Sequence, residues 1–426
     1  MDVLFALAVA AIVLEAGRLL VALTRPTPRY DLEGGRFPPI DSADYFDRLA
    51  AVLDAPASAC REFEPLYGGE RFYGQALEDI ARARSSIHLT AYIYTPGKVA
   101  TRFTQAMAER ARAGVEVRVL LDAFGSLTTR KKDLDELIRA GGRVEWYHPL
   151  RWHTWPRINN RTHLEVLVVD GEVGLVGGPG IADYWLEPGG TRTGAAWRDS
   201  MFRITGDAVA GLQAAFAENW LEADGRLLAG DAYFPPAEEP GRSPTLVVNT
   251  SPTRGGSARA RMLFQLLIHV ARERIEVTTP YFLPDAAARR ELVRAIRERG
   301  VEVRILVPGR HSVPFFTRRC SRRRYGELLE AGARIYEYQP AMMHAKTLVV
   351  DGCWAVVGST NFDPRSFGIN DELNVAVLDR TVAKQLHEHF ELDLQTSEAI
   401  DYEHWRRRPP WERATELFSA IFERQQ

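Results

Sequence analysis

His163-Leu-Glu-Val-Leu-Val-Val-Asp170-Gly171 and His344-Ala-Lys-Thr-Leu-Val-Val-Asp351-Gly352 are near copies of one another. The spacing holds at every marker: His163 and His344, Asp170 and Asp351, and Gly177 and Gly358 each stand 181 residues apart. A duplication this regular means that one chain carries two copies of a site-bearing unit. The flanks repeat too. Ser86-Ile-His-Leu-Thr-Ala-Tyr-Ile-Tyr94 answers Arg274-Ile-Glu-Val-Thr-Thr-Pro-Tyr-Phe282. Each is followed by an Arg- and Ala-rich helical pattern closed by Gly114 or Gly300, as a C-terminal glycine cap would close it. Val115-Glu-Val-Arg-Val-Leu-Leu121 then matches Val301-Glu-Val-Arg-Ile-Leu-Val307, and a second helix ends at Ala140-Gly-Gly or Ala331-Gly-Ala. Strands alternating with helices predict an α/β architecture with a parallel or mixed sheet in each half. Strand order is not contained in the pattern.

Composition agrees with two domains. The chain has 426 residues, 26% charged and 46% hydrophobic, ordinary globular values. A net charge of −2 argues against a general nucleic-acid coat. Cys60, Cys320 and Cys353 have neither metal-ligand spacing nor the makings of a disulfide framework, which favours a reducing compartment. The expected division is an apolar segment at 1–24, a linker at 25–60, a first half at 61–234, a Pro-rich linker at 235–244, a second half at 245–404 and a tail at 405–426.

Val3 to Leu14 is an unbroken apolar run that resumes at Leu19 to Leu23 after Glu15 and Arg18. Asp2 stands where a signal peptide would carry a positive charge, so a membrane-associated segment is expected instead. Spanning would bury Glu15 and Arg18 at about 2.5–3.5 kcal/mol each, softened by their i, i+3 pairing. Arg18, Arg25 and Arg29 lie on the body side, which places the body on the cytoplasmic face of the membrane. A buried amphipathic helix is the alternative.

On a strand from His344 to Asp351, His344 and Lys346 share one face and Asp351 points away. An imidazole beside an ammonium suits an anionic substrate, with Asp351 left as a structural acceptor at the strand end. Gly358-Ser359-Thr-Asn361 follows with small and polar residues near an expected helix start, a place for phosphate oxygens.

With these residues, and with Phe362-Asp-Pro-Arg-Ser-Phe367, Asn370-Asp-Glu372, Thr279-Pro-Tyr-Phe-Leu-Pro284 and Ile335-Tyr-Glu-Tyr-Gln-Pro340, the chain resembles the phospholipase D superfamily. The resemblance is greatest to its bacterial cardiolipin synthase branch and runs from about Tyr67 to Arg407. It implies two tandem α/β/α sandwich halves related by a pseudo-twofold axis, with His163 and His344 facing one pocket. It further implies that one histidine attacks phosphorus, with a lean to His163, while the other, His344, protonates the leaving alcohol. No metal or cofactor is needed. Lys346, Ser359 and Asn361 would hold the phosphate, and Asp199 and Glu372 would each orient the histidine of the opposite half. Asp170, Asp351, Gly177, Gly178 and Gly358 would be structural.

The first copy departs from the family pattern at Glu165, where Lys is expected, and at Gly180, where Asn is frequent. A phosphodiester near 4 Å loses about 4 kcal/mol of attraction when the cation goes, and meets comparable repulsion from an anion. Glu165 must therefore be protonated, neutralised by Arg157 or Arg161, or redirected to an alcohol; otherwise this half is disabled. A metal held by His163 and Glu165 has no clear third ligand.

Trp405-Arg-Arg-Arg-Pro-Pro-Trp411 leads into a helical pattern with Trp411, Ala414, Leu417, Phe418, Ile421 and Phe422 on one face. Together with Arg318, Arg319, Arg322, Arg323 and Arg324 it suits an anionic lipid surface, although the helix could equally dock on the protein's own core and a nuclease would use a basic patch too. The expected function is a membrane-associated phosphatidyltransferase that makes cardiolipin from two phosphatidylglycerols. The alternatives are a lipid-binding pseudoenzyme, supported by Glu165, and a phospholipase or nuclease on the same fold.

Overall fold

The computed structural model describes residues 17, 32, 33, 35–149, 159–187, 195–236, 239, 241–251, 258–309 and 315–409. The apolar segment at 3–23 apart from Gly17, Arg157, and the helical pattern from Trp411 onward lie outside them. The strands are β1 (Ala57–Tyr67), β2 (Ser86–Ala91), β3 (Glu116–Asp122), β4 (Arg143–Tyr147), β5 (Val166–Val169), β6 (Val173–Gly177) and β7 (Ser200–Gly206) in the first half. The second half supplies β8 (Ser243–Thr250), β9 (Arg274–Thr278), β10 (Glu302–Pro308), β11 (Arg334–Tyr338), β12 (Thr347–Val350), β13 (Trp354–Gly358), β14 (Glu372–Leu378) and β15 (Ser397–Ala399).

All of these form one sheet, in the order β4-β3-β2-β5-β6-β7-β1-β8-β14-β13-β12-β9-β10-β11-β15. Apart from β15 the order reads the same outward from the β1–β8 junction in both directions, which is the pseudo-twofold relation between the halves. In each half three strands are parallel, β2-β3-β4 and β9-β10-β11, and the remainder pair antiparallel. The junction is an antiparallel pairing from Ala57↔Leu246 to Cys60↔Ser243.

Alternation along the central strands feeds both faces. Val166 and Val168 enter an apolar cluster shared with Val349, Val357 and Val375 of the second half, while Leu167 and Val169 enter the first half's own cluster. Helices cover each side. The helix Gly69–Arg82 buries Phe72, Tyr73, Ala76 and Ile80, and its counterpart Arg259–Val270 buries Ala260, Leu263, Phe264 and Leu267.

The structure differs from expectation at three places. Residues 43–53, assigned above to a linker, form a helix whose Tyr45, Phe46, Leu49 and Leu53 join the second half's core. Their i, i+1, i+4, i+8 spacing was overshadowed by the Pro- and Gly-rich stretch before them. The Pro-rich linker already enters β8 at Ser243. The strand drawn from His344 begins only at Thr347, so His344 and Lys346 lie on its lead-in.

Asp170 and Asp351 each follow directly on the last residue of a strand, β5 and β12. Both adopt positive φ (56° and 50°) and are followed by Gly171 and Gly352, also at positive φ, turning each strand back on itself. The Asp351 carboxylate accepts from the backbone N–H groups of Arg272, Glu273 and Arg274 at 2.8–2.9 Å. Asp170 does the same for Arg84, Ser85 and Ser86.

Candidate active site

The two halves are interleaved where the site forms. The peptide before each histidine makes a parallel bridge to the peptide before the other half's carboxylate: Thr162 pairs with Asp371, and Arg198 with Met343. The His163 N–H donates to Asp371 O at 2.9 Å, and the His344 N–H to Arg198 O at 2.7 Å. Each half therefore sets the depth at which the other half's histidine sits.

The side chains complete the exchange. His163 Nδ1 lies 3.1 Å from Glu372 Oε2, and His344 Nδ1 lies 2.8 Å from Asp199 Oδ2. Asp199 and Glu372 are both fully buried. A carboxylate can only accept, so Nδ1 of each ring carries the hydrogen and Nε2 is left with its lone pair. Asp199 is itself held by Trp185 Nε1 at 3.1 Å and its own half's Ser200 N–H at 2.8 Å. Glu372 accepts from the Ser359 hydroxyl, which in turn accepts from the Leu373 N–H at 3.1 Å. The proton of Ser359 is thus committed to Glu372 rather than open to a ligand. Asn361 is 4% exposed, and its Oδ1 has no partner among the described residues, so its amide retains hydrogen-bonding capacity.

Lys346 lies against His344, its Nζ 2.8 and 3.1 Å from the two ring nitrogens and 2.7 Å from the residue's own carbonyl oxygen. Burial lowers the Lys346 ammonium to about 8, although Asp199, Glu372, Glu165 and Asp363 all act to raise it. Burial, and then the Lys346 charge, lowers His344 to about 4, so its imidazole is neutral at neutral pH. Burial and the Glu372 charge push Asp363 up to about 7.

The helix expected to present its N-terminus to phosphate is short, Pro364–Gly368, and Asp363 caps it by accepting from the Ser366 N–H. That end is already occupied by an acid and offers nothing to an anion.

Glycines make room for the constellation. A Cβ on Gly178 would sit 2.5 Å from Asp199 Oδ1 and 2.9 Å from His344 O. One on Gly177 would meet Ser200 O at 2.5 Å, and one on Gly358 would meet Leu373 O at 2.1 Å. Gly180 is constrained by the divergent residue itself: its Cβ would meet Ile93 O at 2.5 Å and Glu165 Oε1 at 3.0 Å.

Glu165 is 5% exposed, and its Oε1 accepts the backbone N–H groups of Tyr92 at 3.1 Å and Ile93 at 3.2 Å. Burial raises its carboxyl well above the ordinary range, against the pull of those two donors and of Lys346. Arg161 does not neutralise it. That guanidinium donates to Asn160 O at 2.8 Å and His148 O at 2.9 Å and lies 3.5 Å from Asp122. Tyr92 also packs edge-on against His163, with ring centroids 5.0 Å apart. Neither Tyr92 nor Trp185 carries a recognisable signal in the sequence, since both act through distant pairing.

The basic cluster is partly consumed within the protein: Arg318 and Arg322 reach Glu337 at 2.7 and 3.5 Å. Trp405 donates to Arg322 O at 2.9 Å and packs against Gly326, so the start of the tail docks on the second half. Among the described residues, no helix is long and apolar enough to cross a membrane.

Residues 76–182 and 265–394 match a family model described as cardiolipin synthase, PLD-like domain. The chain is 34% identical over 358 residues to the major cardiolipin synthase ClsA of Bacillus subtilis strain 168, covering 83% of this chain and 73% of that protein. It is 33% identical over 372 residues to a cardiolipin synthase of Geobacillus sp. strain WCH70, covering 86% and 73%. The crystal structure of a phosphatidylserine synthase from Haemophilus influenzae Rd KW20 shares the fold, with a TM-score of 0.66 at 14% identity over 89% of this chain and 97% of the other.

Proposed function

The chain belongs to the phospholipase D-like cardiolipin synthase family, and from that premise we propose that it is a phosphatidyltransferase joining two phosphatidylglycerols into cardiolipin with release of glycerol. The observation that carries this reading is the crossed pairing of His163 with Glu372 and His344 with Asp199, which leaves the Nε2 of each ring unclaimed by its carboxylate.

Displacement at phosphorus requires one neutral and one protonated imidazole. The resemblance leans to His163 as nucleophile. We assign the reverse, because burial and Lys346 keep His344 neutral, the state a nucleophile needs. His344 Nε2 attacks phosphorus, a P–N bond forms, and the P–O bond to glycerol breaks as His163 gives it a proton. His163 then takes the proton from the terminal hydroxyl of a second phosphatidylglycerol, whose oxygen displaces His344. Lys346, adjoining the attacking ring, and the Asn361 amide offset the charge on the phosphoryl oxygens. Ser359 acts one step back, by fixing Glu372.

Lipid substrates place this body at a membrane surface, with residues 1–24 as the candidate anchor and the cytoplasmic face as the expected side. Lipid mass spectrometry of cells carrying wild type, His163→Ala and His344→Ala tests the function. Cardiolipin formation should require both histidines, and wild type denatured in detergent during turnover at mildly alkaline pH, where a P–N bond survives, should retain a phosphatidyl group on His344. Cardiolipin formation at full rate by His344→Ala would refute the reading. Phosphodiester cleavage of DNA but not of lipid would move the protein to the nuclease class.

A further inference from the structure

The position equivalent to Lys346 in the first half is filled by Glu165, and the site around it holds an excess of acid. Asp199, Glu372, Glu165 and Asp363 all act on a single buried ammonium, that of Lys346. A substrate phosphodiester adds a further negative charge. Four ionised carboxylates and a phosphate around one lysine is not a sustainable arrangement in a water-poor pocket, since unpaired buried charge shifts its protonation instead.

The carboxylates are not equivalent. Asp199 and Glu372 each face an imidazole that can share charge. Glu165 is coupled electrostatically to Lys346, Asp199, the buried phenol of Tyr73 and the half-buried phenol of Tyr184, and makes no ion pair within 4 Å among the described residues. Only Oε1 is anchored, by Tyr92 N–H and Ile93 N–H; Oε2 has no hydrogen-bond partner among the described residues.

Resting on the phosphatidyltransferase reading, we propose that Glu165 serves as a neutral carboxylic acid whose Oε2–H donates to a non-bridging oxygen of the bound phosphodiester. It thereby replaces a second ammonium with an uncharged donor. The two backbone donors on Oε1 fix the group, and the missing side chain at Gly180 leaves it the space. The first half is therefore altered in its mode of phosphate binding, not disabled.

The test uses the full-length enzyme in detergent, by infrared difference spectroscopy at pH 7 and by turnover of phosphatidylglycerol in mixed micelles. Wild type minus Glu165→Gln should show the carbonyl stretch of a protonated carboxyl, and inorganic phosphate should shift that band. Glu165→Gln, whose amide can also accept at one atom and donate at the other, should keep kcat/KM within about threefold, while Glu165→Ala should lower it about 10- to 100-fold, the worth of a hydrogen bond to a charged group. An active wild type without the band, or a band indifferent to phosphate, overturns the proposal and leaves the function intact. An inactive wild type made active by Glu165→Lys overturns the phosphatidyltransferase reading itself.

Discussion

Replacing Asp199 by Asn tests the crossed pairing directly. Three donors converge on this carboxylate: His344 Nδ1 at 2.8 Å, Trp185 Nε1 at 3.1 Å and Ser200 N at 2.8 Å, the last on the other oxygen. Asparagine keeps one acceptor oxygen and turns an NH₂ toward whatever lies on its other side. If the oxygen serves Ser200, the NH₂ faces His344 and the indole; imidazole then accepts at Nδ1, and its hydrogen moves to Nε2, the atom that must attack. If the oxygen serves His344, the buried Ser200 N–H loses its partner at about 1–3 kcal/mol. The first outcome costs catalysis and the second costs stability. By analogy with the buried carboxylate of serine protease triads, loss of the correct tautomer lowers kcat about 10⁴-fold. Turnover of phosphatidylglycerol measured beside thermal unfolding separates the two, because the catalytic loss should far exceed any fraction unfolded. A variant retaining more than about a tenth of wild-type kcat with its native fold would refute the assigned role, since a tenfold change is worth only about 1.4 kcal/mol.

Lys346→Met removes the ammonium beside His344 and should lower kcat/KM about 10³-fold, the equivalent of about 4 kcal/mol for a unit charge near 4 Å at an effective dielectric of about 20. Because the lowered ammonium is charged below about 8 and neutral above it, wild-type kcat/KM should fall on the alkaline side of about 8; a pH–rate profile flat through pH 9.5 would contradict this. Gly178→Ala sets a methyl 2.5 Å from Asp199 Oδ1, so it should cost about 1–3 kcal/mol in chemical denaturation and also impair kcat. Asp351→Ala strips three partly buried N–H groups of their acceptor and should lower stability by at least about 2 kcal/mol without changing kcat in the folded fraction. Asp170→Ala should cost less, because the Arg84 and Ser85 donors are exposed.

The repeat around His163 and His344 was legible because its markers are local: a histidine, an aspartate seven residues on, and glycines that a turn and a close approach demand. The carboxylates at 199 and 372 were legible only through family likeness; spacing alone gives no reason for either to cross to the opposite half. What escaped the sequence is long-range. The β1–β8 junction depends on register between segments nearly two hundred residues apart, and the bridges Thr162↔Asp371 and Arg198↔Met343 carry no periodic signature. The setting of Glu165 escaped for the same reason, since its anchors are backbone amides of Tyr92 and Ile93 rather than Arg161. The helix at 43–53 was missed through composition: its apolar stripe is ordinary, but the stretch before it reads as loop.

The palindromic strand order has a consequence for how the chain could diversify. In a dimer of identical subunits a single gene dictates both sides of the axis, so lysine on one side means lysine on the other, and every substitution arrives twice. Fusing the copies lifts that obligation. One polypeptide can set an acid at 165 opposite a base at 346 while the shared frame still holds each ring against the other half's carboxylate, a polarity that no symmetric assembly of one subunit could encode.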